Sequence, residues 1–369
     1  MKVMTIFGTR PEIIRLSLVM EKLDRFCGPG EHVTVHTGQN FHESLSDIFF
    51  RDLGVRTPDI HLGIRASGFG DQIGQILSKV DAVLDEHRPD RVLILGDTNS
   101  ALSAIVAARK GIPVFHMEAG NRCYDDRVPE EVNRRIIDHS SSVLLPYTER
   151  SKENLVAEGI ERERIFVTGN PIKEVLDRFA PEIERSTVFD DLGVRPGEYF
   201  LATIHRAENV DLEERLKTIF NGIAGVAERY KRPVLISVHP RTADKLLQFG
   251  IQASEDAIKM LDPLGFFDFV ALEKQAFAVL TDSGTVQEEC CIFGIPNVTV
   301  RDVTERPETL EAGSNIISGA STDAIARAVE VATAESSAWE PPREYLAANV
   351  STTVAKIVLG HTSLRKHSS

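Results

Sequence analysis

The sequence is poor in cysteine and in cationic charge, and it contains no long apolar run. Its four cysteines, Cys27, Cys123, Cys290 and Cys291, form no C-x-x-C pair and no zinc quartet with the 11 histidines. A disulfide scaffold and a structural zinc domain are therefore excluded, and reduced thiols of a cytoplasm are expected. Apolar stretches such as 3–7 and 143–145 fall far short of the roughly 18 residues of a membrane span. Thr9, Arg10 and Glu12 follow the first of them too closely for a signal peptide, so a soluble, intracellular protein is expected. Lys plus Arg number 42 against 55 Asp plus Glu, and the net charge of -13 repels nucleic acid and anionic membranes. An anionic substrate would need a few Arg residues and helix N-termini focused into one cleft. Nucleotide and metal signatures are also missing: there is no G-x-x-x-x-G-K-[ST], no D-x-D and no H-E-x-x-H. The segment 68–74 imitates a dinucleotide fingerprint, but its third Gly comes one residue late and no buried strand precedes it. Neither a metal nor a cofactor is expected.

What remains is ordinary globular material: 369 residues, 42% hydrophobic and 26% charged, with 25 Gly and 17 Pro. At about 150 residues per domain this length predicts two domains. Short Val, Ile and Leu runs alternate with helix-period segments, the pattern of parallel strands covered on both faces. Strands are expected at 2–7, 32–36, 91–95, 113–117, 142–146 and 165–168, then at 199–203, 233–238, 258–261, 278–281 and 297–300. Helices are expected at 11–26, 72–87, 101–110, 129–138 and 149–158. A further helix carries Leu212, Leu216, Ile219, Phe220 and Ile223 on one face, with Asp211 and Glu214 as a capping box. The charged, Pro- and Gly-containing stretch 178–198 reads as a hinge, and a last helix at 344–359 as a return to the first domain. The fold class is thus α/β with two Rossmann-like domains, 1–178 joined by 344–360 and 179–343, followed by a disordered tail at 361–369. Two such domains facing each other would bring the carboxyl ends of both sheets to one cleft.

The candidate chemistry lies at those strand ends. Gly8-Thr9-Arg10-Pro11-Glu12 opens a helix whose free N–H groups and Arg10 favour an anion. Asp97 and Glu118 end neighbouring strands beside Gly residues, where a core has no use for carboxylates, so they suit acid–base work. Glu130 joins them on the next helix, ahead of Arg134, whereas Glu131 is equally explained by the helix dipole. His205 with Arg206 and Glu208, and His239 with Arg241, follow strands of the second half and suit phosphate contact or proton transfer. The sharpest signal is the turn Ser283-Gly284 between a strand and a helix, a diphosphate cradle, with Glu289 one turn on and placed for ribose hydroxyls. Cys290 and Cys291 read as core.

Seven segments in order, GTRPEIIRLS (8–17), GDTNS (96–100), HMEAGNR (116–122), RVPEEVNRR (127–135), HRAEN (205–209), TDSGTVQEE (281–289) and RDVTERPE (301–308), resemble the non-hydrolysing UDP-N-acetylglucosamine 2-epimerase family. The resemblance runs to about Gly360. It implies a GT-B-like fold, a cytoplasmic homodimer and a cofactor-free isomerase acting on a UDP-sugar. By position it implies Asp97, Glu118, Glu130 and His205 as the acid–base set. Arg10, Ser283 and Gly284 would hold the diphosphate and Glu289 the ribose, while Arg134, His239 and Arg306 would make further substrate contacts. The family reaction is anti elimination of UDP across C1–C2 to a 2-acetamidoglucal, then re-addition. Departures from the common pattern are Arg15 for Lys and Thr285 for Gly. Residues 121–123 and 287–291 look more like a branch acting on UDP-2-acetamido-6-deoxy-L-hexoses. The regulatory Gln-rich segment of some members is reduced to Gln39 followed by Asn40, Phe41 and His42. A GT-B glycosyltransferase, a hydrolysing epimerase and an inert nucleotide-sugar sensor are the competing readings.

Overall fold

Two parallel sheets of six strands each organise the chain, and each lies in its own compact unit. The computed structural model describes residues 1–38, 50–251, 257–334 and 339–362. One unit comprises Met1–Asp177 with Glu344–Ser369, the other Arg178–Arg343. Residues 39–42 and 363–369, which bear on the regulatory and tail expectations, lie outside the described residues.

In the first unit the strands are β1 (Val3–Phe7), β2 (His32–His36), β3 (Ile60–His61), β4 (Arg91–Leu95), β5 (Val114–Met117) and β6 (Val143–Leu145), ordered β3-β2-β1-β4-β5-β6. The second unit holds β7 (Phe200–Thr203), β8 (Val234–Ser237), β9 (Ile258–Leu261), β10 (Ala278–Thr281), β11 (Asn297–Thr299) and β12 (Asn315–Ile317), ordered β12-β11-β10-β7-β8-β9. Counted from its own first strand, each sheet runs 3-2-1-4-5-6, the doubly wound Rossmann order. Every residue of β1, β2, β4 and β10 is buried, as strands covered by helices on both faces require. The Arg10–Phe26 helix covers the first sheet with Ile13, Leu16, Val19, Met20 and Leu23, a stripe at helical spacing. Burying each such side chain contributes about 1.5–3 kcal/mol before entropy is counted.

Several expected elements differ. Residues 165–168 form no strand; Ile165 makes a single bridge to Leu144. The 101–110 helix is split into a tight turn, Asn99–Ser103, and Ala104–Arg109. The Glu213–Tyr230 helix buries Leu216, Ile219, Phe220 and Ile223 as expected, but Leu212 is its N-cap and is exposed. The Asp211–Glu214 capping box does not form, because Asp211 pairs with Arg241 instead. The stretch expected as a hinge is folded into the second unit as helices Ala180–Glu184 and Val188–Leu192, with Phe179 against Phe267 and the Ser186 hydroxyl bonded to Asp268 at 2.5 Å. At the end of the chain the helix is Val350–Gly360, preceded by a separate turn at Arg343–Leu346. Arg91 fastens it to β4 by donating to the carbonyls of Val358 and His361, the latter at 2.7 Å, so His361 is anchored and not part of a disordered tail.

Candidate active site

Each unit presents its own cluster of polar residues at the carboxyl ends of its strands. In the first unit, Gly96 adopts φ +73° directly after β4, a left-handed turn that glycine takes without strain, and Asp97 follows it. Arg134, on the Pro129–Ser140 helix, brings Nε to 2.8 Å and Nη2 to 2.7 Å of Asp97 Oδ2. Asn133 on the same helix donates to the Asp97 carbonyl at 3.0 Å, so backbone and carboxylate are fixed from one element. The Asp97 side chain remains 22% exposed.

Glu118 ends β5 with φ +64°, a conformation that costs a residue with a Cβ about 1–3 kcal/mol and that surrounding contacts must enforce. Those contacts are the guanidinium of Arg15, ion-paired to Oε2, and the Tyr147 hydroxyl, which donates to the same oxygen at 3.1 Å. Arg15 also stacks over the Tyr147 ring at 5.8 Å. Neither Arg15 nor Tyr147 was expected as a site residue. Arg15 lies in the first motif one and a half turns beyond Thr9, a spacing compatible with the same end of the sheet, whereas nothing local in sequence marks Tyr147.

Ahead of the Arg10–Phe26 helix, the amides of Gly8 and Thr9 are already taken. Glu12 turns back on its own N-terminus and accepts from the amides of Gly8 at 3.1 Å and Thr9 at 2.8 Å and from the Thr9 hydroxyl at 2.7 Å. Its other oxygen accepts from the Thr98 hydroxyl at 3.2 Å, tying this loop to the one carrying Asp97. Burial pushes the Glu12 carboxyl up to about 7, against the lowering effect of these donors. Arg10 therefore stands as the anion-binding candidate of this loop without the Gly8 and Thr9 amides; burial lowers its pKa.

Glu130 is half-buried in the first turn of the Pro129–Ser140 helix. Its neighbour Glu131 is buried and committed to structure: it accepts from the amides of Cys123 at 3.0 Å and Tyr124 at 3.1 Å and pairs with Arg134 at 2.7 Å. Burial alone would raise its pKa, but the Cys123 amide and Arg134 outweigh it and the net shift is downward. Behind these residues runs a buried chain of polar contacts. Arg122 meets Asp138 at 2.8 Å, both fully buried, and Asp138 meets His116 Nδ1 at 2.8 Å. His116 Nε2 in turn lies 2.8 Å from the Gly96 carbonyl, one residue before Asp97.

In the second unit, Asp282 is the hub that sequence reasoning missed. Fully buried after β10, it accepts from the amides of His205 at 2.9 Å and Arg206 at 2.9 Å and from Asn209 at 3.1 Å, which fixes the HRAEN loop against the DSG turn. Its other oxygen lies 3.3 Å from His205 Nδ1, and the imidazole remains 37% exposed. His239 caps the Pro240–Gln248 helix by accepting from the Arg241 amide at 3.2 Å, with its ring 6.2 Å from that of His205. Ser283 is the N-cap of the Gly284–Phe293 helix, though its amide donates to Thr281 Oγ1 at 3.0 Å. A methyl group at Gly284 would sit 2.6 Å from Glu305 Oε1, so glycine is required for close approach there. Glu305 is held by Arg301 at 2.8 Å and by Arg206 at 3.5 Å, and the buried Arg306 pairs with Glu288. Glu289 is nearly enclosed on the same helix. Among the described residues, no group of three or more His, Cys, Asp or Glu is arranged to hold a metal ion.

Two doubly wound units, each with polar residues at its strand ends, make the protein a two-unit α/β protein of the GT-B-like class. The family described as UDP-N-acetylglucosamine 2-epimerase matches residues 28–359. The UDP-N-acetylglucosamine 2-epimerase of Methanocaldococcus jannaschii is 42% identical over 349 residues, 93% of this chain and 95% of that protein. Its crystal structure with UDP-GlcNAc and UDP superposes with a TM-score of 0.92 at 39% identity, covering 97% of this chain and 99% of the other. The UDP-2,3-diacetamido-2,3-dideoxy-D-glucuronate 2-epimerase of Pseudomonas aeruginosa is 37% identical over 328 residues, 88% of this chain and 90% of that protein. The chain belongs to the UDP-N-acetylglucosamine 2-epimerase family and is an enzyme of the isomerase class. No helix among the described residues is long and apolar enough to cross a membrane.

Proposed function

We propose that the enzyme interconverts UDP-N-acetylglucosamine and UDP-N-acetylmannosamine. The observation that carries this reading is the pair Asp97 and Glu118, two carboxylates at adjacent strand ends, each clamped by its own arginine. The C2 proton of the sugar is weakly acidic, so departure of UDP runs ahead of its removal. Breaking the C1–O bond sends its electron pair to the diphosphate, where Arg10 and the Ser283-Gly284 turn stabilise the growing charge. A carboxylate takes the C2 proton and a 2-acetamidoglucal results. A second acid, drawn from Asp97, Glu118, Glu130 and His205, delivers a proton to the opposite face of C2 as UDP adds back. Glu289 receives the ribose hydroxyls, and Arg134, His239 and Arg306 support the groups in contact with substrate. Elimination and re-addition pass through no oxidised intermediate, so this route calls for no redox cofactor. The reading includes a cytoplasmic homodimer, supported by the motif resemblance.

In deuterated water, UDP-N-acetylglucosamine is expected to acquire deuterium at C2 as the epimer forms, read by proton NMR. Turnover with full retention of the C2 proton would sink the mechanism. The Pseudomonas relative is named for a UDP-2,3-diacetamido-2,3-dideoxy-D-glucuronate, and residues 121–123 and 287–291 resemble a 6-deoxy-L-hexose branch, so the assay includes both kinds of UDP-sugar. A further expectation concerns Gly284. Glu305 is buried and braced by Arg301, so it cannot swing away cheaply from a new methyl group. Gly284→Ala should weaken UDP binding about tenfold or more, equivalent to about 1.4 kcal/mol. Unchanged affinity by calorimetry would remove this turn from the nucleotide site.

A further inference from the structure

Glu273 takes no part in the chemistry above, yet it is a completely buried carboxyl on the Phe266–Lys274 helix. The Cys290 thiol donates to its Oε1 at 3.3 Å. Its Oε2 receives no N–H or O–H from a neutral or cationic group among the described residues. What meets this carboxyl is the side chain of Glu289, itself 4% exposed, on the Gly284–Phe293 helix. Two carboxylates in contact away from water cannot both be ionised unless a cation compensates. The charged or titratable groups acting on Glu273 are Glu289 and Cys290, with no Lys, Arg or His among them. Elsewhere around this helix, Asp268 is bonded to Ser186, the Tyr199 hydroxyl donates to the Leu272 carbonyl at 2.5 Å, and Arg232 lies over the Phe277 ring.

We propose that Glu273 is a positioning residue: its carboxyl O–H donates a hydrogen bond to Glu289, fixing the Glu289 carboxylate in the orientation that receives the ribose hydroxyls. The inference rests on the ribose role given to Glu289 above. Burial, and then the neighbouring Glu289, hold the Glu273 carboxyl well above the ordinary carboxylate range. The proton is therefore in place at neutral pH and is lost as pH rises through that elevated value. Ribose recognition should weaken in the same direction.

Calorimetric titration with UDP and with 2′,3′-dideoxy-UDP, from neutral to alkaline pH, tests both layers of the argument. The wild-type enzyme should prefer UDP about tenfold or more at neutral pH, and the preference should shrink as pH rises. Glu273→Gln, which still donates a hydrogen bond, should keep the preference and lose its pH dependence. Glu273→Leu should reduce the preference to within about twofold while leaving dideoxy-UDP affinity unchanged. Equal binding of the two nucleotides by the wild-type enzyme would defeat the ribose reading itself. A wild-type preference that Glu273→Leu preserves, or a Glu273→Gln profile identical to wild type, would overturn the role of Glu273 and leave the ribose reading standing. Should the Leu variant not fold, the Gln profile decides.

Discussion

Asp97→Asn is expected to lower kcat by about a thousandfold, within the range that positioned acid–base groups supply, while UDP affinity stays within about threefold. The substitution keeps the shape of the side chain but removes the charge that Arg134 neutralises through Nε at 2.8 Å and Nη2 at 2.7 Å. Arg134 retains Glu131 at 2.7 Å, and Asn133 still holds the residue-97 carbonyl, so the loop should keep its place. The proposed contact of Asp97 is with the hexose and not with the nucleotide, which is why the two readouts should separate. Steady-state kinetics with UDP-N-acetylglucosamine and calorimetry with UDP measure them independently. A parallel loss of both would demote Asp97 to a structural residue.

Arg122→Met should have the largest effect on stability. Its guanidinium is fully enclosed, 2.8 Å from the equally enclosed Asp138, and it also reaches Glu158 at 2.6 Å and the Asn121 carbonyl at 2.8 Å. Removing one partner of such a pair strands the other charge in a dry interior and costs about 3–5 kcal/mol. For units of this size that corresponds to a fall in Tm of roughly 10 °C or more. Burial alone would raise the Asp138 pKa, but His116 and Arg122 outweigh it, and the carboxyl titrates below its ordinary range. A carboxylate with a lowered folded-state pKa contributes stability above its unfolded value and loses it as pH falls through the folded one. The gap between wild type and variant should therefore be wide at neutral pH and narrow in acid. Thermal unfolding at both pH values checks this, and a constant gap would mean that packing of the long side chain, not charge, is what Arg122 supplies. Because His116 joins Asp138 to the Gly96 carbonyl, the variant should lose activity as well as stability.

The alternation of buried strands with amphipathic helices was enough to locate most elements, because a parallel sheet imposes one simple pattern on every strand it buries. It failed where other contacts decided. Ile60–His61 and Asn315–Ile317 are edge strands of two and three residues, too short to display a period. Leu212 fits the helical stripe by spacing but lies at the helix start, where no neighbour covers it. The candidate site residues stand out in the sequence where they sit near glycines at strand ends, as Asp97, Glu118 and Ser283 do. The groups that orient them do not. Tyr147 and Asp282 come to Glu118 and His205 from segments far away in sequence, and Glu273 meets Glu289 only because two helices pack together. Glu12 carries a role that spacing did not reveal: it folds back from the first helical turn onto the amides of Gly8 and Thr9.

The chain passes from one unit to the other twice, after Asp177 and again after Arg343. The second unit is therefore one uninterrupted stretch, whereas the first needs its final helix, fastened through Arg91, to be whole. On the ribosome, domains fold as they emerge. The unit whose synthesis starts later can then finish first, while the earlier one waits for the helix that follows it. Nascent chains stalled just short of the terminal helix would display a mature second unit and an unfinished first one.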